Sequence, residues 1–425
     1  MSSVPPKRLA PLSFPTSGFK VIDRSKLFQE ETLPGYKAEL YYPVPIGEVF
    51  NKRYQVMGKL GFGVTSTVCL ARDLVNGLKT MSVMLIPLST REPDDPGGNE
   101  IAIYERIKAA AAKQNHLGHE TIRKCLSSFE IQGKKHTCIV HEALGMTMEH
   151  ILLNYVPDRA FRIEEIKMFI LEVLIGLDFL HTEARIIHTD SGINVCIIED
   201  LQLKNLLIPV GNPYFFEEFV EGECNDPAER KILKDRIIYN TRHFSQDLKG
   251  LPRICDFGEA RFADGDFELN DDIMPDVYRA PEVVMRMAWN NKVDIWSVAM
   301  VAWDLLAKRT LFHRQNPETE EPDDRYLLAE RTAVLGPRLL NFNLLTDLDP
   351  SALGKWKDTV PITDLTLEKL AAGIKGKDKV GFLHFLRRIL RWLPEDRPTT
   401  EELVNDPWLG VGPNIHGTPP DTDSR

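Results

Sequence analysis

"CDFGEAR", residues 255–261, sets an aspartate ahead of Phe-Gly on a tight turn, the placement of a carboxylate that holds a metal ion. Seven residues decide little alone; the stretches on either side decide more. Downstream come "VYRAPEV" (277–283), "VDIWSVAMVAWDLL" (293–306) and "EDRPTTEELVNDPWL" (395–409), in that order. Upstream, "LGFGVTSTVCLA" (60–71) carries Leu60, Gly61, Gly63 and Val68 between strand-like runs. Glycines there let the backbone close over phosphates and leave N–H donors unobstructed. The third glycine of a G-x-G-x-x-G is Ser66 here, so this motif is weak by itself.

The chain of 425 residues is long enough for two domains, or one bilobal unit with tails. Its six cysteines (69, 125, 138, 196, 224, 255) stand singly with no C-x-x-C pair, so neither a zinc site nor a disulfide framework is indicated and a reducing compartment fits. Every apolar run is interrupted; "MFILEVLIGLDFLH" (168–181) carries Glu and Asp, so it is expected as a buried helix and no membrane span is expected. A net charge of −10 argues against direct nucleic-acid binding. The first 22 residues, with four prolines, and the tail after Gly410 are expected to be disordered.

Apolar–polar alternation over 54–88 reads as two hairpin-linked strands and a third. "GGNEIAIYERIKAAAAK" (97–113) reads as a helix, and "CLSSFEIQGKKHTCIVHEAL" (125–144) as two strands turning at Gly133-Lys134. Long helical patterns dominate afterwards, at 162–183, 292–306 and 379–393. The expected fold class is α+β and bilobal: a small antiparallel β-sheet lobe with one helix, then a larger, mainly α-helical lobe. The expected boundaries are a lead-in over 1–53, the first lobe over 54–141, a hinge at 142–145, the second lobe over 146–409 with a spacer insert at 206–252, and a tail over 410–425.

Four motifs in this order resemble a eukaryotic protein kinase over residues 54–409, and most closely a fungal SR-protein kinase. The closer likeness rests on "YYPVPIGEVFNKRYQVMGKLGFG" (41–63), on His188-Thr189-Asp190, on "CDFGEAR", and on the spacer between Asn205 and Asp256. The resemblance implies a serine/threonine kinase using ATP and Mg2+, with Asp256 and Asn205 holding metal. It implies that Leu60, Gly61, Gly63 and Val68 cover the nucleotide, that Glu142 and Leu144 offer hinge backbone groups to adenine, and that His141 guards the rear of that pocket. Glu282, Arg397 and Asp294 are implied as structural braces. The implied partners are basic, Arg/Ser-rich proteins, the chain acting as a monomer in cytoplasm or nucleus.

Two departures qualify the activity. The third strand of a kinase carries a lysine for the α- and β-phosphates, but "KTMSVMLIPL" (79–88) aligns Met84 there, so that lysine is missing opposite the helix glutamate, Glu100. Lys79 lies five residues early, about 16 Å along a strand and on its opposite face. The catalytic loop is also split. In "IIHTDSGINVCIIEDLQLKNLL" (186–207) Asp190 follows the histidine, whereas Asp200 has the five-residue spacing to Asn205. Removing 190–199 or 191–200 leaves the same "IIHTDLQLKNLL". Asp200 is favoured as the base because Asp–Asn spacing is tied to the metal site. Gln202 stands where many such kinases have a lysine. The alternative is a catalytically impaired pseudokinase that binds nucleotide or protein.

Between Asp256 and Glu282 there is no Ser or Thr, so a loop built to be always on is expected. Nine acids in it (256, 259, 264, 266, 268, 271, 272, 276, 282) face Arg261 and Arg279, an acidic mouth suited to a basic peptide or a merely solvated loop.

Overall fold

Alternation from Tyr54 onward produces an antiparallel sheet in the computed structural model, which describes residues 8–63, 66–75, 81–87, 100–113, 115–131, 136–189, 202–243, 250–264, 269–275, 277–307, 309–336, 360–374, 378–410, 412–413 and 415. The strands are β1 (Val49–Phe50), β2 (Tyr54–Phe62), β3 (Ser66–Asp73), β4 (Met81–Pro87), β5 (Cys125–Glu130) and β6 (Thr137–Glu142), ordered β1-β2-β3-β4-β6-β5. Because side chains alternate, one face buries Val56, Cys69, Ala71, Met84, Cys138 and Val140. The other sets Met57 and Leu70 against Phe216 and Phe219.

Ten helices are described: α1 (Glu100–Ala111), α2 (Met148–Asn154), α3 (Ile163–Phe179), α4 (Tyr214–Asn225), α5 (Pro281–Val284), α6 (Lys292–Leu306), α7 (Asp324–Leu335), α8 (Leu367–Leu370), α9 (Lys379–Ile389) and α10 (Thr400–Val404). Helix α6 is apolar nearly all round and buries 13 of its 15 residues, as a helix at the centre of a core must. Helix α10 starts with a capping box: Thr399 Oγ1 accepts from Glu402 N–H (3.2 Å) and Glu402 Oε2 accepts from Thr399 N–H (2.8 Å). Among the described residues no helix is long and apolar enough to cross a membrane.

The chain divides into two units. The first comprises Met1–Ile101, Arg123–Met146 and Leu207–Gly250; the second comprises Ala102–Ile122, Thr147–Leu206 and Leu251–Arg425. Two expectations change. The spacer falls in the sheet-bearing unit rather than the helical one, because α4 packs on β2 and the 230–239 hairpin holds the lead-in. The N-terminal arm is not disordered from residue 8 onward. Leu9 N–H donates to Leu74 O (2.9 Å), Leu12 exchanges two hydrogen bonds with the Gln55 side chain (2.8 and 2.7 Å), and Ile22 N–H donates to Arg230 O (3.0 Å). The tail too has an ordered point, since Ile415 is buried. The expected Gly133-Lys134 turn lies outside the described residues.

Candidate active site

In the second unit, the metal-side residues are built on backbone held by one buried carboxylate. Asp294, in the first turn of α6, accepts from the N–H of His188 (2.9 Å) and of Thr189 (3.0 Å) and from His181 Nε2 (2.7 Å). Burial pushes its acidity down in strength, but the His181 hydrogen bond and the nearby His188 outweigh this and hold the carboxyl below its ordinary value. His188 Nε2 meets Cys255 O at 3.0 Å, and Cys255 N–H donates to Asn205 O at 2.9 Å. The 3-10 turn Gln202–Asn205 and the turn at Asp256 are thereby stitched together.

Phe257, 1% exposed, packs edge-on against His188 (centroids 5.0 Å apart) and Tyr104 of α1 (5.2 Å). Anchoring Phe257 leaves Asp256 exposed, in the left-handed region at φ 63°, with Gly258 N–H on its Oδ1 at 3.3 Å. Thr189 is also left-handed (φ 49°), costly for a β-branched residue, and its hydroxyl donates to Glu259 O. Backbone strain therefore collects at the two turns expected to carry chemistry. Tyr104 and His181 went unnoticed in the sequence; the repeated histidines of "HTEARIIH" (181–188) were the available signal.

The donor set suits a hard divalent cation. Asp256 supplies an exposed carboxylate, and Asn205 is 6% exposed with an amide Nδ2 that finds no hydrogen-bond partner among the described residues. Asp190 and Asp200, the two candidate bases, lie outside the described residues, as does Lys79.

In the first unit, Leu60, Gly61, Gly63 and Val68 are half-buried on the β2–β3 hairpin. Neither glycine has positive φ, and a Cβ added at either would meet nothing within 4 Å, so packing within the unit does not demand them. Leu60 also packs against the Phe216 and Phe219 cluster of α4, which sequence reading missed.

Met84 requires a correction. It pairs with Cys69 and Val140, is 0% exposed, and lies in the apolar core. By alternation Val83, paired with Leu70 and His141, shares the face of Val68, and Met84 takes the other. Met84 therefore lies on the face opposite Val68 and His141, and the expected placement of Met84 at the lysine position does not hold. Glu100 Oε1 instead lies 3.8 Å from His141 Nε2. Burial, with Arg123 beside it, holds His141 well below its ordinary pKa, so the imidazole is neutral and the contact is no ion pair.

Glu142 also departs from expectation. Its N–H donates to Lys124 O (3.0 Å) and its carbonyl accepts from Arg123 Nε (3.2 Å), so both backbone groups expected to meet adenine already have a protein partner. Leu144 is buried. The acidic mouth is largely neutralised as well. Asp264 meets Arg106 and Arg185, Asp271 meets Arg261, Asp272 meets Arg279, and Glu282 is forked by the buried Arg397 (2.7 and 2.6 Å). Asp266, Glu268 and Asp276 lie outside the described residues.

A glycine hairpin in an antiparallel sheet, a buried Asp294 bracing His-Thr, and an Asp-Phe-Gly turn stitched to Asn205 define a protein kinase. The protein kinase domain family matches residues 235–409. A serine/threonine protein kinase of Aspergillus fumigatus is 35% identical over 404 residues, covering 93% of this chain and 94% of that protein. The chain belongs to the serine/threonine protein kinase family. The serine/threonine-protein kinase SRPK of Physarum polycephalum is 27% identical (92% of this chain, 94% of that one), and protein kinase dsk1 of Schizosaccharomyces pombe 24% (92% and 87%). A crystal structure of a kinase domain superposes with a TM-score of 0.59 at 22% identity, covering 87% of this chain and 99% of that chain, which speaks for the fold.

Proposed function

We propose that this chain transfers the γ-phosphate of ATP to serine in basic, Arg/Ser-rich segments, with Mg2+ held by Asp256 and Asn205. The supporting observation is the metal-side arrangement: Asp256 exposed on a left-handed turn, stitched through Cys255 to a buried Asn205. Bound there, the metal neutralises phosphate oxygens. The backbone around the turn, fixed by Asp294, His188 and Phe257, keeps both donors in place without reorganisation. Asp200, by its spacing to Asn205, accepts the serine proton; Asp190 is the other candidate. Substrate class is supported by the names of the relatives and by the resemblance at 41–63, and no longer by the acidic loop, whose described carboxylates are mostly paired.

A second reading has a specific observation behind it. Strand β4 (Met81–Pro87) carries no lysine to meet phosphate, and Glu100 lies against a neutral imidazole, so a slow or purely binding protein is the alternative. Incubating the full chain with labelled ATP, magnesium, and Arg/Ser or Lys/Ser peptides tests the choice. Phosphoserine forming preferentially on the Arg/Ser peptide supports the proposal. Equal labelling of the two peptides removes the substrate class, and nucleotide binding with no labelling of either leaves the binding module.

A further inference from the structure

Four contacts grip the glycine segment from residues outside the β2–β3 hairpin. Glu30, on the short turn Gln29–Thr32 and 7% exposed, pairs with Lys59, itself 5% exposed. Lys59 Nζ also donates to Tyr239 O (3.2 Å) and lies 4.7 Å from the Phe62 ring centroid, and Lys59 O accepts from Arg242 N–H (2.9 Å). Tyr41, 6% exposed, donates its hydroxyl to Gly63 O at 3.0 Å. Tyr41 is itself fixed, its ring 4.9 Å from that of Tyr36 and its carbonyl accepting from Arg236 Nη1 at 3.3 Å. Gly63 N–H closes the hairpin on Ser66 O (2.9 Å), so the Tyr41 hydroxyl takes the remaining polar group of that residue.

A glycine hairpin is the part of a phosphate site with most conformational freedom to lose on binding. Holding it beforehand lowers that cost. The need is greater in this chain, where β4 carries no lysine and the backbone must carry more of the phosphate recognition. We propose that Tyr41 is a positioning residue for nucleotide. Through Gly63 it braces the glycine segment, with Glu30 and the 230–239 hairpin completing the brace. The inference rests on the nucleotide-binding reading above, and it makes the N-terminal arm part of the site's support.

Tyr41→Phe keeps the ring and removes the hydroxyl; Tyr42→Phe removes a neighbouring hydroxyl that lies against Glu48 instead. Affinity for the fluorescent analogue mant-ATP and amide exchange across 56–70 are measured for both variants and the parent chain. The expected result for Tyr41→Phe is about three- to tenfold weaker mant-ATP binding, with faster exchange around Gly63. Tyr42→Phe should leave both unchanged. Unchanged affinity in Tyr41→Phe overturns the proposal, whether or not exchange rises, and so does equal weakening by Tyr42→Phe. If the parent chain fails to bind mant-ATP, the nucleotide reading falls, and exchange then decides the brace: faster in Tyr41→Phe upholds it, unchanged removes it.

Discussion

Neighbouring residues on β4 differ in what they tolerate. Met84→Lys puts an ammonium into the apolar cluster of Val56, Cys69, Ala71 and Val140, at a cost on the order of 3–5 kcal/mol. Leu85→Lys puts the same group at the position in register with Val68. Thermal denaturation should show a large loss for the first and a small change for the second. Only the second should tighten ATP binding, by about ten- to a hundredfold if a charge-assisted contact of about 1.5–3 kcal/mol forms. A stable, tighter-binding Met84→Lys would reverse the assignment. The lysine's absence was legible in "KTMSVMLIPL"; which residue replaced it was not, because a one-residue slip exchanges the two faces of a strand and only cross-strand pairing fixes register.

Asp304 carries a second residue-scale prediction. It is 2% exposed inside α6, and burial pushes its carboxyl up to about 8, against which the Tyr278 hydroxyl bond works. Folding therefore takes up a proton at this group between its ordinary value of 3.8 and about 8. Its contribution is greatest below the unfolded value and is lost as pH rises towards the folded one, by about 1.4 kcal/mol per pH unit at most. Asp304→Asn removes that loss. The melting temperature of the variant should gain on the parent progressively from pH 5 to 8; a constant difference would exclude the linkage.

At the scale of elements, the spacer helix α4 is the part the sequence hid. Phe216 and Phe219 were visible, but nothing local says that they meet Met57, Leu70 and Leu60, about 150 positions away in the chain. Gly58 records the meeting: a Cβ there would lie 2.7 Å from Phe219 Cε1. Gly58→Ala should cost about 1–3 kcal/mol by overpacking, and Phe219→Leu in that background should recover part of it. Additive losses in the double variant would mean that the two residues do not share the clash.

For the whole molecule, the motifs from Asp256 to Arg397 made the class of protein legible, because each is short and fixed in order. The membership of the first unit was not legible, since Lys59 with Tyr239 and Lys231 with Glu31 join residues some 180 to 200 positions apart. The catalytic-loop interruption, outside the described residues, remains a sequence-level matter with a direct consequence. Deleting 191–200 restores His188-Thr-Asp five residues ahead of the asparagine and should raise phosphotransfer by orders of magnitude. In the full chain, Asp200→Asn should abolish activity and Asp190→Asn should not; the reverse ranking assigns the base to Asp190.

The most direct test of kinase function is single-turnover phosphotransfer from ATP to an Arg/Ser peptide by the full chain, run beside Asp256→Asn. The expected result is slow, magnesium-dependent phosphoserine formation that Asp256→Asn eliminates. Labelling of the peptide no faster with the full chain than with Asp256→Asn would contradict it.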